Sequence, residues 1–115
     1  MAAFSLTELL FVLGLVATLG GLATAHVQEA VADARAAGAA RYLSARLHDI
    51  RTQAIVRGAA TAMRVSQVGT SYQMSPYVDG NGNGVLARDI QDGIDVQTAV
   101  AEMLSERFPG VEFGA

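Results

Sequence analysis

The chain has 115 residues, room for one small domain at most. It holds no Cys, which excludes disulfides, thiolate metal sites and a Cys nucleophile. The formal net charge is −3, there is no Lys, and the charge is unevenly placed: residues 26 to 64 carry six Arg against Glu29, Asp33 and Asp49, whereas residues 65 to 115 carry Arg88 and Arg107 against seven acids. A basic middle followed by an acidic tail suits subunits that contact one another side by side, the plainer alternative being two solvated faces.

From Leu9 to Ala25 seventeen residues pass without a charge. At 1.5 Å per residue that is roughly 25 Å of helix, near the lower limit for crossing a bilayer, and Phe4, Ser5 and Leu6 extend it. A secretory signal peptide is the competing reading. Against it, Met1–Ala2–Ala3 has no basic residue, and Glu8 stands at the edge of the apolar run. A carboxylate there costs a few kcal/mol unless paired. Glu8 is therefore expected either to have a partner or to sit among lipid headgroups.

Beyond His26 only Gly38 and Gly58 interrupt the pattern before Met63, so one helix is expected from about Phe4 to about Ala62. Such a helix would be roughly 90 Å long, too long for a compact domain of this size. It divides into a transmembrane or filament-core part (4–28) and an amphipathic continuation (29–62). In the continuation, Ala32, Ala36, Ala40, Leu43, Leu47, Ile50 and Ala54 recur at spacings of three and four, an apolar stripe. Arg35, Arg46 and Arg57 form a basic edge beside it, with Arg64 near the same direction. The small residues of 30–40 would let neighbouring helices approach closely. A hairpin or coiled coil is disfavoured because large a and d residues are missing there.

Residues 62–68 and 71–78 alternate as strands joined at Gly69-Thr70, and Pro76 marks the second as an edge strand or as bulged. Asp79-Gly80-Asn81-Gly82-Asn83-Gly84 follows, with two Asn-Gly pairs that signal a tight reversal. A sharper reading is a Ca²⁺ loop. Asp79, Asn81, Asn83 and Gly84 fall at the first, third, fifth and sixth places of an EF-hand loop, and the Val85 carbonyl at the seventh. The twelfth place, where a bidentate acid is needed, holds Ile90; Asp89 and Asp92 flank it. A hard cation takes six or more oxygens and this loop offers about four or five. Residues 98–107 read as a short helix with Val100, Met103 and Leu104 on one side. The only histidines, His26 and His48, lie roughly six helical turns apart and cannot share a metal or a catalytic dyad within one chain. No nucleophile triad, phosphate loop or dinucleotide fingerprint is present, so no enzyme is expected.

Phe4-Ser5-Leu6-Thr7-Glu8-Leu9-Leu10 resembles the N-terminal signature of type IV pilins and type II secretion pseudopilins. The resemblance implies that a prepilin peptidase cuts at Ala3–Phe4, leaving residues 1–3 as a residual leader. The new Phe4 amine is then methylated, and Glu8 pairs with the amine of a neighbouring subunit during assembly. Two opposite charges in a low-dielectric layer attract strongly and relieve each other's desolvation, which agrees with that role. The sequence departs from the family pattern in having Ala3 where Gly is usual and Ala25 where Pro is common. Ile50-Arg51-Thr52-Gln53-Ala54-Ile55, Asp79 to Gly84, Asp89-Ile90 and Phe108-Pro109-Gly110-Val111 are further similar to the pseudopilin H and FimT minor-pilin group.

The resulting expectation is an α+β, pilin-like fold: a long N-terminal helix and, over 63–115, a small β-rich head. Its antiparallel sheet would have two or three strands and be incomplete, finished by a neighbour or a second chain. The implied role is a structural subunit, held in the inner membrane by a single pass, that joins copies of itself and other pilins in a periplasmic or extracellular filament. Two alternatives stand beside it. One is a minor pilin that binds DNA phosphates with its Arg face, which the acidic C-terminal part opposes. The other is a single-pass anchored protein that does not polymerise.

Overall fold

The computed structural model describes residues 3–114; Met1 and Ala2, within the expected leader, and Ala115 lie outside the described residues. Contacts divide the chain into two compact units, Met1–Ala34 and Arg35–Ala115.

The first helix, α1, runs Leu6–Arg57, shorter at both ends than the expected 4–62. At its start Ser5 is the cap. The Glu8 N–H donates to Ser5 Oγ at 3.2 Å and the Ser5 N–H donates to Glu8 Oε2 at 3.0 Å, a reciprocal capping box that satisfies two otherwise orphaned donors. At its end Gly58 takes φ 63°, a left-handed conformation that a Cβ disfavours. There the Gly58 N–H reaches the Ile55 carbonyl and the Ala59 N–H the Ala54 carbonyl, both at 3.3 Å. This pair of bonds is a Schellman closure, so the helix cannot run on to Ala62.

Within the first unit, α1 carries its apolar side chains all round, and every described residue from 3 to 34 is exposed. The helix is long and apolar enough to cross a membrane, with a best window of mean hydropathy 2.0. Thr18 and Thr24 return their hydroxyls to the carbonyls of Gly14 and Gly20, both at 2.8 Å. These bonds satisfy the only hydroxyls between Leu9 and Ala25 without any outside partner.

The second unit is built on a hairpin of two eight-residue strands, β1 (Thr61–Val68) and β2 (Ser71–Val78). They pair antiparallel from Thr61↔Val78 to Val68↔Ser71 through the Gly69-Thr70 turn. Gly69 has φ 62° at the first central position, the pattern of a II′ turn. Three short elements follow: α2 (Ala87–Gln91), β3 (Val96–Gln97) and β4 (Glu102–Met103), and then α3 (Leu104–Arg107). Both β3 and β4 pair antiparallel with the far side of β2, giving a four-stranded sheet rather than one of two or three strands.

Two sequence expectations are corrected by this topology. First, β2 is central, not an edge, despite Pro76. The Asp79 N–H bond to the Ala60 carbonyl (2.8 Å) sets the alternation of the hairpin, so the missing Pro76 N–H points away from β1. On that side it falls between β3 and β4, where Pro76 needs only its carbonyl, which accepts the Thr98 N–H at 2.9 Å. Second, residues 98–107 do not form one helix. The free edge of β2 captures Glu102 and Met103 as a strand, leaving four helical residues, and Val100 is 84 % exposed.

The core lies between α1 and this sheet. Ala39, Met74 and Leu104 are buried in it, and Tyr42, Leu43, Met63, Phe108, Val111 and Phe113 pack around them. Ile50 is also buried. The packed face of the helix is thus turned from the expected stripe, because Ala39 is buried while Ala40 and Leu47 are exposed. The aromatic C-terminal segment explains the turn. Phe108 packs on Tyr42 with ring centroids 5.9 Å apart, and a Cβ on Gly38 would stand 3.0 Å from the Phe108 ring, so Gly38 lets that ring approach the helix backbone.

Candidate functional site

In the first unit the residues singled out by the sequence stand together at the start of the apolar helix. Ala3 and Phe4 precede it, and Phe4 is 82 % exposed. Phe4, Thr7, Glu8, Phe11 and Val12 border one open groove on the helix surface. Glu8 is the only ionisable side chain among the first twenty-five residues. Its carboxylate sits in the first turn, where it accepts the Ser5 N–H. Glu8 therefore has a local partner, which the sequence reading did not assign. The signal was present: Ser5-x-x-Glu8 ahead of an apolar run is the capping-box pattern. One Oε2 contact leaves the rest of the carboxylate's acceptor capacity open.

In the second unit the loop after β2 is organised by three carboxylates. Asp79 Oδ1 accepts the N–H groups of Asn81 (3.0 Å) and Gly82 (2.9 Å), and its Oδ2 accepts that of Gly84 (2.7 Å). Buried Asp89 accepts the side-chain amides of Asn83 (2.9 Å) and Asn81 (3.1 Å) on Oδ2, while the Arg88 guanidinium lies 3.3 Å from Oδ1. Buried Asp95 accepts the Gly80 N–H at 3.1 Å and the Leu86 N–H at 2.8 Å. These bonds hold the carboxyl of Asp79 below its usual range, the Asn81 N–H first among them and the Gly84 N–H next. Asp89 is lowered as well, chiefly by the Asn83 amide, with burial opposing and Asn81 and Arg88 assisting.

The loop thus brings Asp79, Asn81, Asn83 and Asp89 together. Val85 is half-buried, and Ile90, at the twelfth place of the Ca²⁺ reading, lies inside α2. Among the described residues no group of three or more His, Asp or Glu side chains is arranged to hold a metal ion. A cation at this loop would have to displace N–H donors from Asp79 and side-chain amides from Asp89. Asp95 escaped the sequence reading because nothing local marks it: its partners lie fifteen residues and nine residues back along the chain.

A third polar group ties α1 to β4. The Tyr42 hydroxyl donates to Glu102 Oε2 at 2.5 Å, and Arg46 Nε lies 3.4 Å from the same oxygen. Arg107 lies over the Tyr42 ring at 4.5 Å. Burial, then the bond to Glu102, pushes the Tyr42 phenol above its ordinary value. No family model matches this chain, and no curated protein or solved structure matches it either.

Proposed function

We propose that the chain is a structural rather than catalytic protein, a type IV pilin-like or pseudopilin-like subunit. Its N-terminal helix sits in the inner membrane and packs with those of other copies in a periplasmic or extracellular filament. One observation carries the reading. A single carboxylate, Glu8, stands in the first turn of α1, directly after an exposed Phe4 and directly before the uncharged run from Leu9 to Ala25.

Water is a poor solvent for such a helix, whereas lipid or other helices of the same kind bury it. Glu8 then gives the packed helices an electrostatic register mark, because its remaining acceptor capacity suits a cationic amine brought in by another copy. Cleavage at Ala3–Phe4 by a prepilin peptidase would create such an amine, and the exposed Phe4 leaves that bond open to an enzyme.

Electron microscopy of purified surface or membrane-derived fibres, with mass spectrometry of the chain's amino terminus, tests this. A fibre containing the chain with a methylated Phe4 amine is the expected result. A chain found only as an uncut monomer in membranes would sink it.

A further inference from the structure

The second unit leaves its charge unmatched internally. Residues 35–78 carry six Arg against Asp49, net +5, and residues 79–114 carry Arg88 and Arg107 against seven acids, net −5. Among the described residues a single ion pair joins the two stretches, Arg46 with Glu102 at 3.4 Å; Arg46 also meets Asp49, and Arg88 meets its neighbour Asp89. Arg41, Arg51, Arg57 and Arg64 are exposed and form no ion pair among the described residues, and the same is true of Asp92 and Glu106 on the acidic side.

Helix phase explains why the charges stay apart. Side chains advance by about 100° per residue along a helix. Ala39 and Ile50 face the sheet, so Arg41 and His48 fall on the opposite side and Arg51, about 100° from Ile50, falls on the flank that adjoins them. Among the described residues neither Arg pairs with an acid of its own chain. Leu47 and Ile55 are exposed beside them, 55 % and 72 %, so this outward face is apolar as well as cationic.

We infer that this outward face, Arg41 and Arg51 with Leu47 and Ile55, docks on the exposed acids Asp92 and Glu106 of a second copy of the chain. The inference rests on the filament reading and names the surfaces that reading leaves open. Equal and opposite charge within one sequence selects the copy itself as the partner. Because the two patches differ, the contact is head-to-tail: each copy offers a basic face to one neighbour and an acidic face to the next. Such an interface is heterologous, and it builds an open filament wherever the rotation between copies does not close a ring.

The test uses the full chain, carried in two differently tagged copies expressed together in membranes. Arg41→Glu with Arg51→Glu is expected to weaken copy-to-copy capture roughly tenfold or more at low salt. Asp92→Arg with Glu106→Arg should do the same. Pairing one double variant with the other should restore capture, since the swapped charges again oppose. The absence of native Cys permits a direct geometric check. Arg51→Cys in one copy and Glu106→Cys in the other should form a disulfide-linked pair on oxidation, and two Arg51→Cys copies should not. Fibres and capture that survive both charge reversals overturn the inference while leaving the filament reading intact. If the unaltered chain never self-associates, both fall. If Arg41→Glu with Arg51→Glu spares capture but abolishes retention on anionic-lipid vesicles or duplex DNA, the face serves a membrane or nucleic acid and the inference is wrong.

Discussion

The two units use apolar residues in opposite ways. In Met1–Ala34 every described side chain is exposed, and the large ones, Leu6 through Val31, are spread around the whole helix. Among the described residues of Arg35–Ala115 the buried hydrophobic residues number only four, yet three of them, Ala39, Met74 and Leu104, join α1, β2 and α3 in one core with aromatic side chains closing the margins. The first unit has no interior of its own and needs an apolar surrounding. The second has an interior so small that each member matters. What it lacks in apolar volume it supplies with buried carboxylates that organise a loop, Asp89 and Asp95.

The largest expected effect falls on the first unit. Val16 lies midway along the uncharged run and is 61 % exposed. Val16→Arg should disfavour a membrane position by about 3.5 kcal/mol, a shift of a hundredfold or more in partitioning. Carbonate extraction of membranes followed by immunoblotting reads this directly. The variant is expected in the soluble fraction, and unchanged membrane retention would mean that the helix is held by something other than lipid.

The same contrast explains how much the sequence revealed. An uncharged run of seventeen residues is a local signal, so the long helix and its apolar first half are legible without tertiary information. The hairpin is legible for the same reason: two eight-residue runs of roughly alternating apolar and polar residues flank Gly69 and Thr70. What stayed hidden depends on partners distant in sequence. The helix phase was misjudged by about a sixth of a turn, because Phe108 and Val111, some seventy residues on, decide which side of Ala39 and Ala40 is covered. Glu102 and Met103 were read as helical because the free edge of β2 that recruits them is not local to them. At the sites, Asp79 and its asparagines were legible from spacing, whereas Asp95 was not, since its work is done on Gly80 and Leu86.

Two changes in the second unit sharpen the comparison. Leu104 is 2 % exposed at the centre of the core. Leu104→Ala should cost about 3 kcal/mol, a large share of what so small a core supplies. All three tyrosines, Tyr42, Tyr72 and Tyr77, lie in this unit and there is no Trp, so urea unfolding followed by tyrosine fluorescence reports on it alone, with the full chain held in detergent. Gly80→Ala should cost somewhat less, about 2 kcal/mol. A Cβ at Gly80 would overlap the Ile94 backbone carbonyl, which the bonds from Asp95 and from the Ile94 N–H to the Asp89 carbonyl hold in place. If Gly80→Ala leaves the urea midpoint unchanged, the loop is softer than its hydrogen bonds require.

The smallest effect separates the units by pH. Asp79 and Asp89 both have carboxyl groups held below their ordinary value of 3.8, by the Asn81 and Gly84 N–H groups and by the Asn83 amide respectively. A lowered folded value means the unfolded chain binds more protons through the interval between the two values. The loop's contribution is therefore fully present above pH 3.8 and declines as pH falls through the lowered folded values. The urea midpoint of the second unit should hold steady down to about pH 5 and then fall below about pH 4. Asp89→Asn removes one of the two titrations and should flatten that fall, even though it lowers the midpoint at neutral pH by exchanging a charged acceptor for a neutral amide. Helicity of the first unit in lipid vesicles, read by circular dichroism of a 1–34 peptide, offers the contrast. It should not change over the same interval, because its three acids are Glu29 and Asp33, both exposed, and Glu8, which makes one cap among many intrahelical bonds. A matching acid transition that Glu8→Gln abolishes would show that Glu8 controls far more of the helix than the local capping box implies.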